Sequence, residues 1–349
     1  MVRSESLHIT SEMLSLTGQI DEFKGAWRAL GTLAPERLRE LRTVATIESV
    51  GSSTRIEGAK LSDREVEALL GRIGVQSLTT RDEQEVAGYA AAMELVYANH
   101  ESIPITENHI LQLHSTLLPH AEKDERHRGR YKTLSNRVEA FDAEGRSIGV
   151  IFETSTPFDT PRHMADLVEW YASAKRDGLL HPLVIVGMFV VVFLAIHPFQ
   201  DGNGRLSRVL TTLLLLKAGY AYVPYSSLES IVEQNKEGYY LALRRTQGTL
   251  GAEKVDWEPW LAFFLRAMQS QKRRLERKVE TERLMRSTLS ELAVRILELA
   301  VMRGRLSVSE IIAATGEPRG TVKKRLIELV AAGHLRTEGR GRGTVYTPP

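Results

Sequence analysis

The chain has no cysteine, which excludes disulfides, a thiolate nucleophile and a Cys-ligated zinc site. It has no apolar run of membrane-spanning length either. The run Leu183–Ile196 is shorter than the about 20 residues such a helix needs. The run that follows, Val209–Leu216, cannot be joined to it, because Asp201, Arg205 and Arg208 lie between. Met1–His8 contains no apolar signal core. A cytoplasmic protein without membrane contact is the expectation. A formal net charge of +2 is too small to imply nucleic-acid binding, which local charge alone could support. No internal repeat or low-complexity tract is present.

What remains is ordinary globular material: 349 residues, 42% hydrophobic and 26% charged, enough for more than one domain. The periodicity is mainly helical. Phe23, Trp27, Leu30 and Leu33 mark one apolar face. Leu38, Leu41, Val44 and Ile47 mark a second helix over about 35–50, which Gly51-Ser52-Ser53 is expected to break. Ser62 with Glu65 reads as a capping box. Val86, Tyr89, Met93 and Val96 mark a helix over 81–98, and Ile110, Leu113 and Leu117 another over 106–118. Between Gly129 and Pro157, β-branched and aromatic residues flank Asp142-Ala-Glu-Gly145, which predicts a hairpin. Helices are expected over 163–176 and 230–246. A long helix beginning at Trp257 becomes highly charged over Gln271–Glu280.

The densest chemistry lies at His197-Pro-Phe-Gln-Asp-Gly-Asn-Gly-Arg-Leu-Ser-Arg208, between the two apolar runs. Polar groups in such a place are costly unless they hold a ligand or one another. Gly202 and Gly204 flank Asn203 and let the backbone turn tightly into a helix whose first N–H groups attract anions. Arg205 and Arg208 project from that first turn and suit phosphate oxygens. Asp201 is a hard carboxylate suited to Mg²⁺ between phosphates. His197 can accept a proton near neutral pH. No Lys-Ser/Thr follows the glycines, so this is not a Walker A loop. Asp-Gly-Asn-Gly alone would be only a turn, and the conjunction makes it an active-site candidate.

The same twelve residues resemble, at every defined position, the signature of Fic (Fido) domains, His-Pro-Phe-x-Asp/Glu-Gly-Asn-Gly-Arg-x-x-Arg. The likeness extends over roughly 40–270. It implies a mainly α, Fic-type helical bundle with a short β-hairpin flap around Val150, Ile151 and Phe152. It also implies protein AMP-transfer from ATP with Mg²⁺ to a Ser, Thr or Tyr hydroxyl. By this resemblance His197 is the base and Asp201 the metal ligand. Gly202, Asn203 and Gly204 form the anion hole, Arg205 and Arg208 hold the β- and γ-phosphates, and Phe199 packs. Ser53-Thr-Arg-Ile-Glu57-Gly58 taken alone marks a capped surface helix. It also resembles the family's inhibitory motif, which implies that Glu57 pairs with Arg208 and keeps the enzyme off.

The expected organisation is an N-terminal helical region over 1–100 with the inhibitory helix near 53–58, then a catalytic core over 101–270. A linker helix over 271–289 and a winged helix-turn-helix over 290–349 follow. That last unit predicts three helices and a small hairpin. It carries ten Lys or Arg against six Asp or Glu, a net +4, with basic residues at the third helix and the Gly339–Gly343 tip. Duplex DNA is therefore a candidate partner, beside an unidentified target protein, self-modification and a homodimer. Two competing functions are a DNA-binding regulator whose Fic domain senses nucleotide, and an enzyme that removes AMP through the same site.

Overall fold

The computed structural model describes residues 2–29, 35–73, 78–118, 126–141, 147–287, 289–339 and 344–348. Two compact units result, Met1–Arg274 and Leu275–Pro349.

The first unit is built around a helical hairpin. Helix α7 (Pro182–Ile196) is buried from Leu183 to Ile196, and α8 (Asn203–Lys217) is buried over most of its length. A helix as apolar on every side as α7 belongs in the middle of a helical stack. Around them lie α1 (Ser11–Ala29), α2 (Pro35–Ile56), α3 (Asp63–Leu70), α4 (Arg81–Asn99), α5 (Glu107–Leu117) and α6 (Thr160–Asp177). After α8 come α9 (Leu228–Gln234), α10 (Lys236–Gln247) and α11 (Glu258–Ser287), of which the residues from Leu275 on belong to the second unit. The Ser62–Glu65 capping box starts α3, and Thr80 with Glu83 forms a second one at α4. Val86, Tyr89, Met93 and Val96 of α4 are all buried, as are Ile110, Leu113 and Leu117 of α5.

Three expectations need correction. Gly51-Ser52-Ser53 does not break the chain, for α2 runs unbroken through it to Ile56. Close packing explains this: Ser52 and Ser53 are buried, and a Cβ on Gly51 would meet the Arg55 guanidinium at 2.6 Å. These small residues let neighbours approach, and that contact overrides their weak helix propensity. Val44 is not a core residue either. It is 48% exposed, and Ala45 takes the inward position. The helix expected over 230–246 is two, α9 and α10, because Asn235 leaves helical geometry at φ −125°. Its amide folds over Gly238, where a Cβ would lie 2.5 Å away. Leu30 and Leu33 lie outside the described residues.

Strands β1 (Arg137–Phe141) and β2 (Ser147–Glu153) pair antiparallel as the expected hairpin. Two register shifts, one between Val138 and Glu139 and one between Ala140 and Phe141, place bulges in it. The Asp142–Gly145 turn lies outside the described residues.

The second unit has its own core, including Ala293, Ile296, Leu306, Ile311, Val322 and Leu326. Its order is α12 (Glu291–Arg303), β3 (Leu306–Ser307), α13 (Val308–Thr315), α14 (Arg319–Ala331), β4 (Arg336–Glu338) and β5 (Val345–Thr347). The three helices and closing hairpin match the expected order. Strand β3 was not anticipated, and it pairs with β5 to complete a three-stranded sheet. A Ser307–Glu310 capping box and a left-handed Gly316 bound α13. Residues 340–343 of the Gly/Arg tip lie outside the described residues.

Candidate active site

The site is the junction of α7 and α8. Helix α7 ends because His197 turns left-handed at φ 52°, its N–H donating to the Phe193 carbonyl at 2.9 Å, with Pro198 next. His197 is the only non-glycine residue with positive φ among the described residues. That conformation is uncommon for a side-chain-bearing residue and often marks a functional position. The loop is closed by Asn203, which mimics a paired strand. Its Oδ1 accepts the Phe199 N–H at 2.9 Å and its Nδ2 donates to the Phe199 carbonyl at 2.7 Å. Gly202 provides the left-handed turn into α8 at φ 79°.

The orientation of His197 assigns its tautomer. Nδ1 lies 3.2 Å from the Leu194 carbonyl, which can only accept, so Nδ1 carries the proton. The Nε2 lone pair is left for other work. Burial, helped by the nearby Lys132 charge, pushes the His197 pKa down to about 4. The imidazole is therefore neutral at physiological pH.

Asp201 accepts from Arg205 Nη2 at 2.9 Å and from Arg81 Nη2 at 3.1 Å. Burial opposes its charge, but Arg205, the Gly202 N–H and Arg81 hold its pKa below the usual value. Arg205 is 2% exposed, and its Nη1 also lies 3.3 Å from Glu85 Oε2. Arg81 in turn donates to Glu85 Oε1 at 2.9 Å, so two arginines and two carboxylates form a closed ring.

Arg208 is held by the end of α2. Its Nε donates to Ser53 Oγ at 2.7 Å, and its Nη2 to the Ser53 carbonyl at 2.9 Å and to Glu57 Oε1 at 2.8 Å. Burial works against the guanidinium charge, but Glu57 together with Tyr239 and Tyr89 outweighs it and the pKa rises. Glu57 also lies against the first turn of α8, where a Cβ on Gly204 would fall 2.1 Å from its Oε1. A carboxylate thus occupies the anion-attracting end of the helix. Ser53 is not the cap of a short helix but an interior residue of α2, fully buried. The same turn is fixed by Arg55, which pairs with Glu233 at 2.6 and 3.0 Å and with Asp63 at 2.9 Å.

Structure therefore brings Ser53, Glu57, His197, Asp201 and the Gly202–Arg208 turn together. Val150, Ile151 and Phe152 lie in β2, and their side chains are outside those described. Several participants carried no sequence signal. His114 stacks flat on Phe199, 3.8 Å between ring centroids, with Nε2 3.0 Å from the Asp201 carbonyl. Glu85, Arg81, Arg55 and Lys132 look in sequence like ordinary helix or turn charges.

Residues 104–215 match the Fic/DOC family. The chain carries a Fic domain. A Fic family protein from Desulfovibrio desulfuricans G20 is similar over 98% of this chain and 97% of its own, at 26% identity and TM-score 0.63. The protein adenylyltransferase Fic of Aedes aegypti is 29% identical over 206 residues, 58% of this chain and 37% of its own length. That of Drosophila grimshawi is 28% identical over 246 residues, 70% of this chain and 45% of its own. The chain thus spans less than half the length of these curated relatives. Among the described residues, no helix is long and apolar enough to cross a membrane.

Proposed function

We propose that this Fic-domain chain is a self-inhibited AMP-transferase, moving AMP from Mg²⁺-ATP to a Ser, Thr or Tyr hydroxyl of a target protein or of itself. One observation carries the reading: a neutral histidine with a free Nε2 stands beside an anion-binding helix end whose second arginine is held by a carboxylate. The chain's own groups fit a polyphosphate. Nε of Arg205 and Nη1 of Arg208 are buried donors with no hydrogen-bond partner among the described residues, and Nη1 of Arg205 has only its ion-pair contact with Glu85. Buried arginine donors left this way favour an incoming anion. Asp201 would hold the Mg²⁺, which when bound would offset charge on the α- and β-phosphates.

In the reaction, His197 Nε2 takes the proton of the incoming hydroxyl as its oxygen attacks the α-phosphorus. The bond from that phosphorus to the bridging oxygen breaks, and pyrophosphate leaves. The first-turn amides of α8 and Arg205 stabilise the charge that develops. Arg208 binds the terminal phosphates only after Glu57 leaves it, so the resting chain holds ATP unproductively. The β1–β2 hairpin is two-stranded, and the free edge of such a sheet can pair with an extended target segment.

Intact-mass analysis after incubation with ATP and Mg²⁺ tests the reading. Glu57→Gly should gain the mass of one adenylyl group, AMP less a water, per modified hydroxyl, a far smaller share of wild type should gain it, and Glu57→Gly with His197→Ala should gain none. An unmodified Glu57→Gly protein that also fails to label added lysate proteins from α-³²P-ATP would overturn it. Release of AMP from a modified protein by wild type, lost in Glu57→Gly, would assign hydrolytic AMP removal instead.

A second activity is supported by the C-terminal unit. Arg319, Lys323 and Lys324 are exposed along α14, which follows α13 after a Gly316 turn in the manner of a winged helix-turn-helix. We propose duplex DNA as its partner.

A further inference from the structure

Lys132 is 3% exposed and, among the described residues, has no carboxylate paired with it, which is costly for an ammonium. Its surroundings explain how it is kept. Nζ donates to the Ile196 carbonyl at 3.1 Å, to Asn136 Oδ1 at 2.8 Å and to Thr154 Oγ1 at 2.9 Å. All three of its protons are therefore used, one of them on the negative end of the α7 dipole. Its backbone N–H donates to the Pro198 carbonyl at 2.8 Å. Asn136 continues the pattern, with Nδ2 2.8 Å from the Phe199 carbonyl and 3.5 Å from that of His197. Thr154 Oγ1 donates to the Asn136 carbonyl at 2.7 Å.

The placement is specific. Asn136 immediately precedes β1 and Thr154 immediately follows β2, so the two form the base of the hairpin. Four successive carbonyls, Ile196 to Phe199, face this base, and they carry the backbone that sets His197. Lys132 touches both sides. We infer that Lys132 is a positioning residue that clamps the hairpin base to the His197 loop, fixing a hairpin-bound target in register with the Nε2 lone pair. This rests on the AMP-transfer reading for its consequence, but the clamp itself is a property of the chain.

The ammonium also bears on the base. The charged groups facing His197 are Lys132, Glu57 and Asp201, with the Leu194 carbonyl on its other nitrogen. Lys132 alone among these opposes protonation of the ring, and burial lowers its own pKa to about 8. A clamp that is lost should therefore leave a signature at His197 that mere loosening at a distance would not.

The test uses the full chain in the Glu57→Gly background with Lys132→Met, Lys132→Arg and Thr154→Val. Thr154→Val removes one anchor only and guards against misfolding of the lysine variant. Three readouts are taken: the His197 imidazole pKa by NMR, ATP·Mg²⁺ affinity by calorimetry, and AMP transfer. Lys132→Met should raise the His197 pKa by about one unit. It should lower transfer to protein at least tenfold while ATP affinity stays within twofold. Thr154→Val should lower transfer by a smaller factor, and Lys132→Arg should restore the His197 pKa. An unmoved His197 pKa in Lys132→Met overturns the inference, and should that variant not fold, unchanged transfer in Thr154→Val does so. So does a loss of ATP affinity in step with transfer. If Glu57→Gly itself transfers nothing, the functional reading fails, while the NMR arm still judges the clamp.

Discussion

Glu57 and Gly204 fit face to face: the carboxylate fills the space that any side chain at 204 would need, its Oε1 2.1 Å from the site of a Cβ. On the proposed function, the glycine that opens the helix end to a phosphate is also the glycine that admits the inhibitory carboxylate. Removing the two partners should have unlike results. Glu57→Gly frees Arg208 and clears the helix end, and AMP transfer should rise between about 5- and 150-fold, the usual range of a regulatory coupling. Gly204→Ala also expels Glu57, but its methyl obstructs the anion position, so transfer should stay at the resting level. α-³²P-ATP labelling of the two variants side by side makes the comparison. Activation by Gly204→Ala would show that Glu57 alone sets the block.

Arg55 should be the anchor of that inhibitory contact. It spans Glu233, Asp63 and the Leu61 carbonyl, and so ties the last turn of α2 to α9 and to the start of α3. Its pKa is raised, chiefly by the Glu233 hydrogen bond. Arg55→Ala should cost about 1–3 kcal/mol in thermal unfolding, the usual range for charged hydrogen bonds at a half-buried site. It should also raise basal transfer, by less than Glu57→Gly does, because Glu57 keeps Arg208 as a partner. Transfer unchanged by a measurably destabilised Arg55→Ala would place the hold on Glu57 elsewhere.

The chemistry of the site was legible because it is local. His197, Asp201, Asn203, the two glycines and both arginines are neighbours in sequence, and each needs its residue type for a separate physical reason. The helices were legible where large apolar residues set the period, as in α4 and α5. Legibility failed where small residues carried the packing. Ser52 and Ser53 read as a break because propensity is local, whereas their burial against neighbouring elements is not. It failed again for partners distant in sequence. Lys132 lies 64 residues from Ile196 and Glu57 lies 151 from Arg208. Glu57 was anticipated only through a family motif, and Lys132, which has no such motif, was not anticipated at all.

His114 should make stability fall in mild acid. Its Nδ1 accepts the Gly129 N–H at 3.0 Å, so the proton sits on Nε2 and is donated to the Asp201 carbonyl. Burial pushes its pKa down to about 4. The unfolded chain, with an ordinary histidine pKa near 6.5, binds this proton first as pH falls. The contribution is therefore fully present above pH 6.5 and is lost between 6.5 and 4, by about 3 kcal/mol. Unfolding temperatures of wild type and His114→Gln over pH 4–7 test the sign. The variant should be less stable at pH 7 but lose less on acidification. Parallel curves would mean that His114 is not held neutral.

The C-terminal unit makes a prediction that separates charge from shape. If α14 lies along a DNA groove, Arg319, Lys323 and Lys324 each displace a counterion, and log affinity should fall linearly with log salt. Replacing all three with alanine in the full chain should lower that slope by about 3, at roughly 0.9 per phosphate contact. The residues that α14 gives to the core of this unit are the buried Val322, Leu326 and Leu329, whereas Arg319, Lys323 and Lys324 are exposed, so the substitutions should leave its unfolding unchanged. Fluorescence anisotropy on a random duplex at several salt concentrations gives the slope. A wild-type chain that does not bind duplex even at low salt would remove the DNA reading and leave the exposed Ile327 face of α14 for a protein partner. A linear slope that survives the triple substitution would instead move the contact off this helix.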